Sequence, residues 1–250
     1  MNIEIKKIDT TESTNKEASN YWQNVAPDTM VLFYTWNQTN GRGQGNNKWY
    51  SEPYKNITAT ILWKMQQPIS LSEIPLFAFS EWLAITICNE LSNYLTYQKI
   101  KIKWPNDIII DNKKIGGILI ENIIIGQELI AIIGGFGINI NQEKFPQELT
   151  KATSLKLLTQ KQYNEKEILM KIFNKLNESS ENIIKDKEKI HETYKKYVLT
   201  NEIQKGEILK TKEMIEMSII DIETDGAIII KAKIGDEKRR YYHHEFRVGY

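Results

Sequence analysis

A short glycine-rich segment is the first place in this chain where side chains could do chemistry. Residues 41–49 read Gly-Arg-Gly-Gln-Gly-Asn-Asn-Lys-Trp and directly follow the apolar run 30–34. Glycine lets a backbone approach an anion closely, and Arg42 and Lys48 could neutralise the charge of that anion. The segment lacks the Gly-Lys-Ser/Thr ending of a Walker A loop. It predicts either an anion-binding loop or a surface loop that is merely flexible.

A second group of chemically capable residues is Lys-Trp-Pro-Asn-Asp at 103–107. Pro105 must interrupt a strand, so Asn106 and Asp107 are expected at a break that faces a cleft. Asp107 could orient an incoming amine or hold an amide of a ligand. The alternative is a turn in which both side chains bond their own backbone. Trp104 is expected in the core.

A third group surrounds a lysine that begins an apolar strand. Lys114 could simply extend into water there. The two glycines that follow at 116 and 117 leave space for a ligand beside it, and a fixed ammonium suits a carboxylate or a phosphoryl oxygen. Further on, Gly135 and Gly137 permit close approach to the backbone, although tight packing explains them equally well. The amide of Asn139 could contact an adenine edge or phosphate oxygens.

Charge and cysteine content restrict the class of protein. The 33 basic and 32 acidic residues leave a net charge of +1, which argues against a general nucleic-acid binder. The single cysteine, Cys88, lies in an apolar helical pattern and predicts a buried thiol in a reduced, cytoplasmic protein. The chain contains no apolar run long enough to span a bilayer and no secretory signal, so no membrane association is expected.

The elements that must position these residues are predicted from periodicity. The predicted strands are 3–8, 30–34, 56–64, 99–110 with a break at Pro105, 115–125 and 129–140. The predicted helices run from 14 to about 23, from 76 over about 20 residues, and within 164–198. Thr14 and Glu17 predict a capping box for the first helix. Hairpin-linked strands beside a separate helical layer predict an α+β fold whose sheet has one covered face.

The pattern changes at residue 201. Short strands near 203, 208, 214–222, 227–232 and 240–248 alternate with turns expected at Gly206, Asp225-Gly226 and Gly235-Asp236. Such a run is typical of a small β-barrel. We therefore predict two domains, at 1–200 and 201–250.

Taken together, these motifs resemble the biotin protein ligase (biotin–[acetyl-CoA-carboxylase] ligase) family. The resemblance is carried by Ser13-Thr14-Asn15, Gln38, Gly41-Arg42-Gly43, 103–107, 114–121 and Gly135 to Asn139. It implies a mixed, mostly antiparallel sheet covered by helices, like that of class II aminoacyl-tRNA synthetases, with a C-terminal SH3-like β-barrel. It also implies ligation of biotin to a lysine of a carrier protein, through biotinyl-5′-AMP formed from ATP with release of pyrophosphate.

The resemblance implies a role for particular residues. The catalytic residues would be Lys114, Arg42 and Asp107, the last positioning the acceptor lysine. Biotin would be held by Ser13, Thr14, Asn15, Gln38, Gly41, Arg42, Gly43, Gln44, Lys114 and Gly117. The nucleotide would contact Arg42, Trp49, Asn106, Lys114 and Asn139. Residues 41–49 would close over the intermediate and keep water out.

The family pattern is not matched everywhere. Gln44 stands where many members carry a second arginine, and Gly45-Asn46 replaces a frequent Arg-Gly, which weakens the expected hold on the adenylate. The chain before Ile3 has no room for a DNA-binding winged helix, so we expect a ligase that binds no DNA. The expected partner is the biotin carboxyl carrier domain of a carboxylase or decarboxylase, and a homodimer is possible. Mg²⁺ is expected with ATP, without a dedicated metal site in the protein.

Two alternatives remain open at this point. A lipoate or octanoate ligase shares the architecture, although its usual Arg-Arg-x-Ser-Gly-Gly-Gly stretch is absent. A non-catalytic adaptor could use the C-terminal segment to bind proteins, but it would have no need for Arg42, Asp107 and Lys114 in one pocket.

Overall fold

The structure is a computed structural model that describes residues 1–198, 203–235 and 237–249. The strands are β1 Asn2–Lys7, β2 Thr29–Thr35, β3 Gly41–Arg42, β4 Lys48–Trp49, β5 Asn56–Ser70, β6 Ile100–Lys103, β7 Asp107–Ile110, β8 Lys113–Ile125, β9 Glu128–Asn139, β10 Gln204–Ile208, β11 Glu213–Ile222, β12 Ile228–Ala232, β13 Lys238–Tyr241 and β14 Phe246–Val248. The α-helices are α1 Thr14–Tyr21, α2 Phe77–Ser92, α3 Leu155–Thr159, α4 Glu165–Ser179, α5 Asn182–Lys185 and α6 Lys187–Val198, and a 3₁₀ turn at Trp22–Asn24 follows α1. In the described ranges, every helix is too short or too polar to cross a bilayer.

The main sheet confirms the predicted α+β class. Its seven strands are ordered β1-β2-β5-β9-β8-β7-β6. β1 pairs parallel with β2, and the other ladders among these strands are antiparallel. Pro105 separates β6 from β7 as predicted, and Asp111 and Asn112 make the next turn with left-handed backbones (φ 49° and 60°). The glycines at 135 and 137 lie inside β9, which is a central strand of the sheet.

Helices cover both faces of this sheet. Helices α2, α4 and α6 bury one face, and the core there includes Phe79, Leu83 and Phe173. Helix α1 packs on the opposite face, where Ala18 contacts a smaller cluster that includes Phe33. The expectation of one covered face is therefore wrong. All residues of β2 are buried, so this strand needs a cover on each side.

The predicted buried thiol is confirmed. Cys88 lies in α2 within the larger core and is fully buried. Burial raises the pKa of this thiol well above its ordinary value, because the low-dielectric surroundings disfavour the thiolate. Cys88 therefore behaves as a small apolar side chain of the core.

The predicted capping box at the start of α1 is wrong. Ser13 is the N-cap, and its side chain makes no capping hydrogen bond. The backbone N–H of Thr14 instead donates to Gln38 Oε1 at 3.0 Å, and Glu17 accepts a hydrogen bond from the Thr11 hydroxyl at 2.6 Å. Gln38, 24 positions away, thus replaces the local cap of the Thr14 N–H, because the helix begins against the β2–β3 connection.

The C-terminal strands form a separate antiparallel sheet of five strands, ordered β13-β12-β11-β10-β14. Among the described strands, no ladder joins β13 to β14, so closure into an SH3-like barrel is not confirmed. Gly206 lies inside β10, opposite Ile215 and Val248, and the turn predicted there is wrong. The predicted domain boundary at 200/201 and Asp236 of the predicted turn lie outside the described residues.

The C-terminal sheet shares the larger apolar core with the main sheet and is also joined to it by polar contacts. The indole N–H of Trp104 donates to the carbonyl oxygen of Gly226 at 3.0 Å. His191 of α6 is buried between the carboxylate of Glu81 on α2, 2.6 Å from its Nδ1, and the carbonyl oxygen of Ile222, 3.0 Å from its Nε2. A carbonyl oxygen can only accept, so Nε2 of His191 carries a proton.

The Glu81–His191 contact makes stability depend on pH. Burial raises the pKa of Glu81 from its ordinary value of 4.5 to about 7, and the hydrogen bond and charge of His191 oppose this shift. The folded protein therefore keeps a proton that the unfolded chain releases, and stability falls as pH rises through about 7. We expect the free energy of unfolding to decrease between about pH 5 and pH 8. Urea unfolding across this range measures the decrease.

The matched variant for this measurement is Glu81→Gln. A glutamine amide can donate to Nδ1 of a neutral imidazole through its NH2 group or accept from a protonated one through its oxygen, so the variant keeps the contact and loses the carboxyl titration. Glu178→Gln removes an exposed carboxylate of α4 and serves as the control. Equal loss of stability with pH in the wild type and in Glu81→Gln would contradict the assignment.

Candidate active site

A cavity of about 680 Å³ lies over the centre of the main sheet. Its walls come from the start of α1, residues 42–49, the β6–β8 hairpins and the turn between β13 and β14. The volume is typical of sites for small molecules. The predicted site residues that line it are Ser13, Thr14, Asn15, Gln38, Arg42, Gly43, Gln44, Trp49, Asn106, Asp107, Lys114 and Gly117. Gly41 and Asn139 are the predicted residues that are not part of its lining.

One end of the cavity is a buried polar floor beneath the start of α1. The hydroxyl of Thr60 on β5 lies 2.6 Å from Asn15 Oδ1 and 2.8 Å from the Thr14 hydroxyl. Gln38 accepts hydrogen bonds from the backbone and the side chain of Thr14. The Asn15 amide occupies the space that a side chain at Gly135 would need. These groups are fixed by one another, so the floor presents donors and acceptors in set positions.

A lysine–carboxylate pair lines the cavity. Lys114 Nζ is 2.5 Å from Asp107 Oδ1, and the two side chains are 32% and 19% exposed. The backbone of Lys114 is held by two hydrogen bonds, one to Lys151 and one from Thr153. A β-bulge between Ile108 and Ile109 shifts the register between β7 and β8 beside this pair. The ammonium is therefore held in place, and its charge is balanced by a carboxylate of the neighbouring strand.

The glycine-rich segment is a small hairpin anchored by its tryptophan. Gly41 pairs with Trp49, and Arg42 pairs with Lys48. The Trp49 ring fills the space beside the backbone of Gly137 and lies 5.6 Å from Lys114 Nζ. Its buried indole nitrogen has no hydrogen-bond partner among the described residues. The segment thus covers the cavity from above in this structure.

Sequence reasoning missed the partner of Arg42. Arg42 Nη2 donates to Glu121 Oε1 at 2.7 Å, and Asn15 Nδ2 donates to Glu121 Oε2 at 2.8 Å. Glu121 closes the Lys114–Glu121 motif, but no role was predicted for it. The contact joins residues 79 positions apart, so no local pattern identifies it.

The two amides predicted near the nucleotide occupy different places. Asn106 lines the cavity and bridges to β8, donating from Nδ2 to the carbonyl oxygen of Ile118 at 2.6 Å. Asn106 therefore does not form the alternative turn, in which its side chain would bond its own backbone. Asn139 is buried outside the lining and donates to the carbonyl oxygen of Thr153 at 3.0 Å. Its predicted contact with a nucleotide stays a prediction.

A group of basic residues in the cavity lining, here called the basic wall, was also missed. It is formed by Lys103 together with His243, His244 and Arg247 of the C-terminal sheet. Burial lowers the pKa of Lys103 to about 8, with Asp107 opposing this shift. Burial and the neighbouring His244 lower the pKa of His243. The dense Arg and His content of 239–247 is a signal that could have indicated this wall.

The residues at the cavity do not form a metal site of their own. Within the described ranges, no group of three or more His, Cys, Asp or Glu side chains converges in a way that could hold a metal ion. Magnesium that accompanies a nucleotide commonly keeps its waters and phosphate ligands and takes only one or two carboxylates from a protein. The cavity is compatible with that mode.

Comparisons with known proteins agree on one family. The biotin/lipoate A/B protein ligase family matches residues 6–139, more than half of the chain. The Bifunctional ligase/repressor BirA of Bacillus subtilis is 32% identical over 151 residues, covering 59% of this chain and 44% of that protein. The Biotin--[acetyl-CoA-carboxylase] ligase of Paracoccus denitrificans is 28% identical over 134 residues, covering 52% of each. The matched region thus spans about half, or less, of these relatives.

Solved structures share the fold across nearly the whole chain. The biotin protein ligase from Aquifex aeolicus, in complex with biotin and ATP, superposes with a TM-score of 0.75 at 24% identity and covers 98% of both chains. The biotin protein ligase from Leishmania major, in complex with biotinyl-5-AMP, gives a TM-score of 0.61 at 19% identity, covering 96% of this chain and 98% of that one. At this level of identity the likeness establishes the fold.

The packing of Asn15 against β9 gives a stability prediction. In Gly135→Ala the new methyl group would coincide with the Asn15 amide, so Asn15 must leave Thr60 and Glu121. We expect a loss of about 1–3 kcal/mol in the free energy of unfolding, measured in urea. In the control, Gly117→Ala, the methyl group meets its neighbours at 3.3 Å or more, the nearest being the flexible end of Lys114. If Gly135→Ala is as stable as that control, Asn15 is not held in this position.

Proposed function

This chain belongs to the biotin/lipoate A/B protein ligase family, and on that basis we propose that it joins biotin to a lysine of a carrier protein. The observation that carries the proposal is the meeting of Arg42, Lys114 and Asp107 in one cavity that also has a fixed polar floor. The Paracoccus denitrificans relative carries a biotin ligase name, which favours biotin over lipoate as the acid. The same proposal includes the division into a catalytic domain, 1–200, and a C-terminal domain, 201–250.

The first half-reaction needs positive charge because it brings two anions together. A carboxylate oxygen of biotin attacks the α-phosphorus of ATP, a new P–O bond forms, and the bond to the departing pyrophosphate breaks. Lys114 and Arg42 would stabilise the charge that develops on the α-phosphoryl oxygens. Lys114 suits this role since its backbone is fixed and its ammonium faces the cavity.

The polar floor would hold the ureido ring of biotin. That ring presents two N–H donors and one carbonyl acceptor, and Ser13, Thr14, Asn15 and Gln38 supply complementary groups around the start of α1. The backbone of Gly117 would form the side wall, with Gly41, Gly43 and Gln44 closing from above. Burial of this end favours a defined orientation for the carboxylate at the other end.

Residues 41–49 would shield the adenylate from water. An acyl-adenylate hydrolyses readily, so a cover over the site protects it until the acceptor arrives. The Trp49 ring already lies over the backbone of Gly137. The neutral residues Gln44, Gly45 and Asn46 provide no further charge to hold the phosphate. Retention would therefore depend mainly on Arg42 and Lys114.

The second half-reaction would use Asp107. The amine of the acceptor lysine attacks the acyl carbon, a C–N bond forms, and AMP leaves with the bonding electrons. The attacking amine must lose a proton, and Asp107 lies within the cavity where it can orient the amine and accept that proton. The incoming amine would share Asp107 with Lys114, its partner in this structure.

The nucleotide would occupy the end of the cavity with the basic wall. Asn106, Trp49 and, more remotely, Asn139 are the residues proposed for the nucleoside. Lys103 and Arg247 face the space that remains for the phosphates of ATP, and bound Mg²⁺ would balance their charge.

The proposal extends to partners and location. The carrier would be the biotin carboxyl carrier domain of a carboxylase or decarboxylase, as the name of the Paracoccus relative suggests. A cytoplasmic location fits the single buried thiol of Cys88. The proposal also includes a homodimer and a protein that binds no DNA.

The role of Lys114 can be measured directly. Lys114→Ala removes the ammonium at the α-phosphate, and we expect the rate of biotin-dependent pyrophosphate release to fall by about 10²–10³-fold. Arg42→Ala should also lower the yield of labelled biotin on an acceptor domain. Lys113→Ala removes an exposed lysine one position away and is the control. An unchanged yield of adenylate in Lys114→Ala would remove Lys114 from the mechanism.

The choice between biotin and lipoate can be tested by thermal unfolding. A ligand at 100 times its dissociation constant stabilises the folded state by about 2.7 kcal/mol, which corresponds to a shift of several degrees in Tm. We expect biotin to give that shift and lipoate to give none at the same concentration. An equal or larger shift with lipoate would reassign the substrate.

A further inference from the structure

Glu121 lies where the glycine-rich segment, helix α1 and the main sheet meet. It is on β8, opposite Ile133 of β9 and two residues beyond Leu119, which lines the cavity. Because side chains alternate along a strand, Glu121 faces the cavity side of the sheet. Its side chain is 32% exposed. The carboxylate therefore borders the site at the edge of the solvent.

The two carboxylate oxygens of Glu121 bind two different walls of the cavity. One accepts the hydrogen bond of Arg42 at 2.7 Å, and the other accepts that of Asn15 at 2.8 Å. Asn15 is buried and is fixed in turn by Thr60. A single side chain thus connects the glycine-rich segment to the polar floor.

The charge of Arg42 is already balanced in this state. Its side chain is 52% exposed, and Glu121 is the acceptor that its guanidinium contacts among the described residues. Lys114 is balanced in the same way by Asp107. An anion that enters the cavity must therefore compete with Glu121 for Arg42.

We propose that Glu121 holds the guanidinium of Arg42 by an ion pair while the site is empty. An anionic ligand then displaces Glu121 and binds Arg42 in its place. The inference rests on the proposed function, which supplies such an anion in the phosphoryl group of the acyl-adenylate. Glu121 is then a positioning residue, because it acts through Arg42. Ion pairs with this much exposure are weak, equivalent to a factor of about two to five in an equilibrium constant. The free energy needed to break this ion pair is therefore small enough for a phosphoryl group to displace Glu121.

The ion pair between Glu121 and Arg42 affects how tightly the adenylate is held. Every anion bound through Arg42 must first break the contact with Glu121, so Glu121 lowers the affinity for anions. A ligand without charge does not compete with Glu121 for Arg42, so its affinity does not depend on this ion pair. The resting contact also keeps residues 41–49 close to the floor before ligand arrives.

The test uses Glu121→Gln with two probes measured by calorimetry. Biotinol-5′-AMP is a stable phosphodiester with one negative charge, and biotinol is its uncharged counterpart. We expect Glu121→Gln to bind biotinol-5′-AMP about two- to five-fold more tightly and biotinol equally. In an Arg42→Ala background, Glu121→Gln should leave the affinity for biotinol-5′-AMP unchanged, because Glu121 acts through Arg42. Glu128→Gln removes an exposed carboxylate at the start of β9 and is the control.

Equal or weaker binding of biotinol-5′-AMP by Glu121→Gln would overturn the inference, as would the same gain without Arg42. If the wild type binds neither probe, the proposed function fails instead. The ion pair between Glu121 and Arg42 is then tested without ligand, by amide hydrogen exchange at residues 43–47. We expect exchange there to be about two- to five-fold faster in Glu121→Gln, and unchanged exchange would overturn the inference.

Discussion

The close approach of two side chains to the bare backbone of β9 is the constraint on which the site depends. A central strand ordinarily carries side chains on both faces. At Gly135 the Asn15 amide takes the place of one, and at Gly137 the Trp49 ring does the same. Helix α1 and the glycine-rich segment therefore pack directly on the backbone of the sheet. A side chain at 135 would displace the Asn15 amide, and one at 137 would displace the Trp49 ring.

Charge balance is the second property that shapes the cavity. Arg42 and Lys114 each have a carboxylate partner, although they are exposed to different degrees. Leaving either cation bare would cost desolvation energy in the empty protein, and the cost would be higher for the less exposed Lys114. Pairing removes that cost and keeps both cations in position. The same pairing means that an anionic ligand exchanges partners with the protein, and its net gain is smaller than the bare charges would suggest.

Local signals were sufficient for most of the fold and for much of the site. The runs at 115–125 and 129–140 predicted β8 and β9 closely, since apolar residues bounded by turn residues specify a hairpin. Glycines and Pro105 also marked the cavity wall, because they act on the backbone itself. The capping box failed because the partner of Thr14 is Gln38, 24 positions away. The roles of Glu121 and the basic wall were not predicted for the same physical reason, because only the folded sheet brings these residues to the cavity.

The C-terminal sheet contributes to the site in two distinct ways. The turn between β13 and β14 supplies His243 and His244 to the cavity, and β14 supplies Arg247. The sheet also holds the turn between β6 and β7, because the indole of Trp104 donates to a carbonyl oxygen of the C-terminal sheet. On the other side, the hydroxyl of Tyr194 on α6 donates to the carbonyl oxygen of Pro105 at 2.7 Å. Since Asp107 follows this turn directly, its position relative to Lys114 depends on both contacts. The C-terminal sheet is therefore a structural part of the cavity, and displacing it would move Asp107 even if every residue of the main sheet stayed in place.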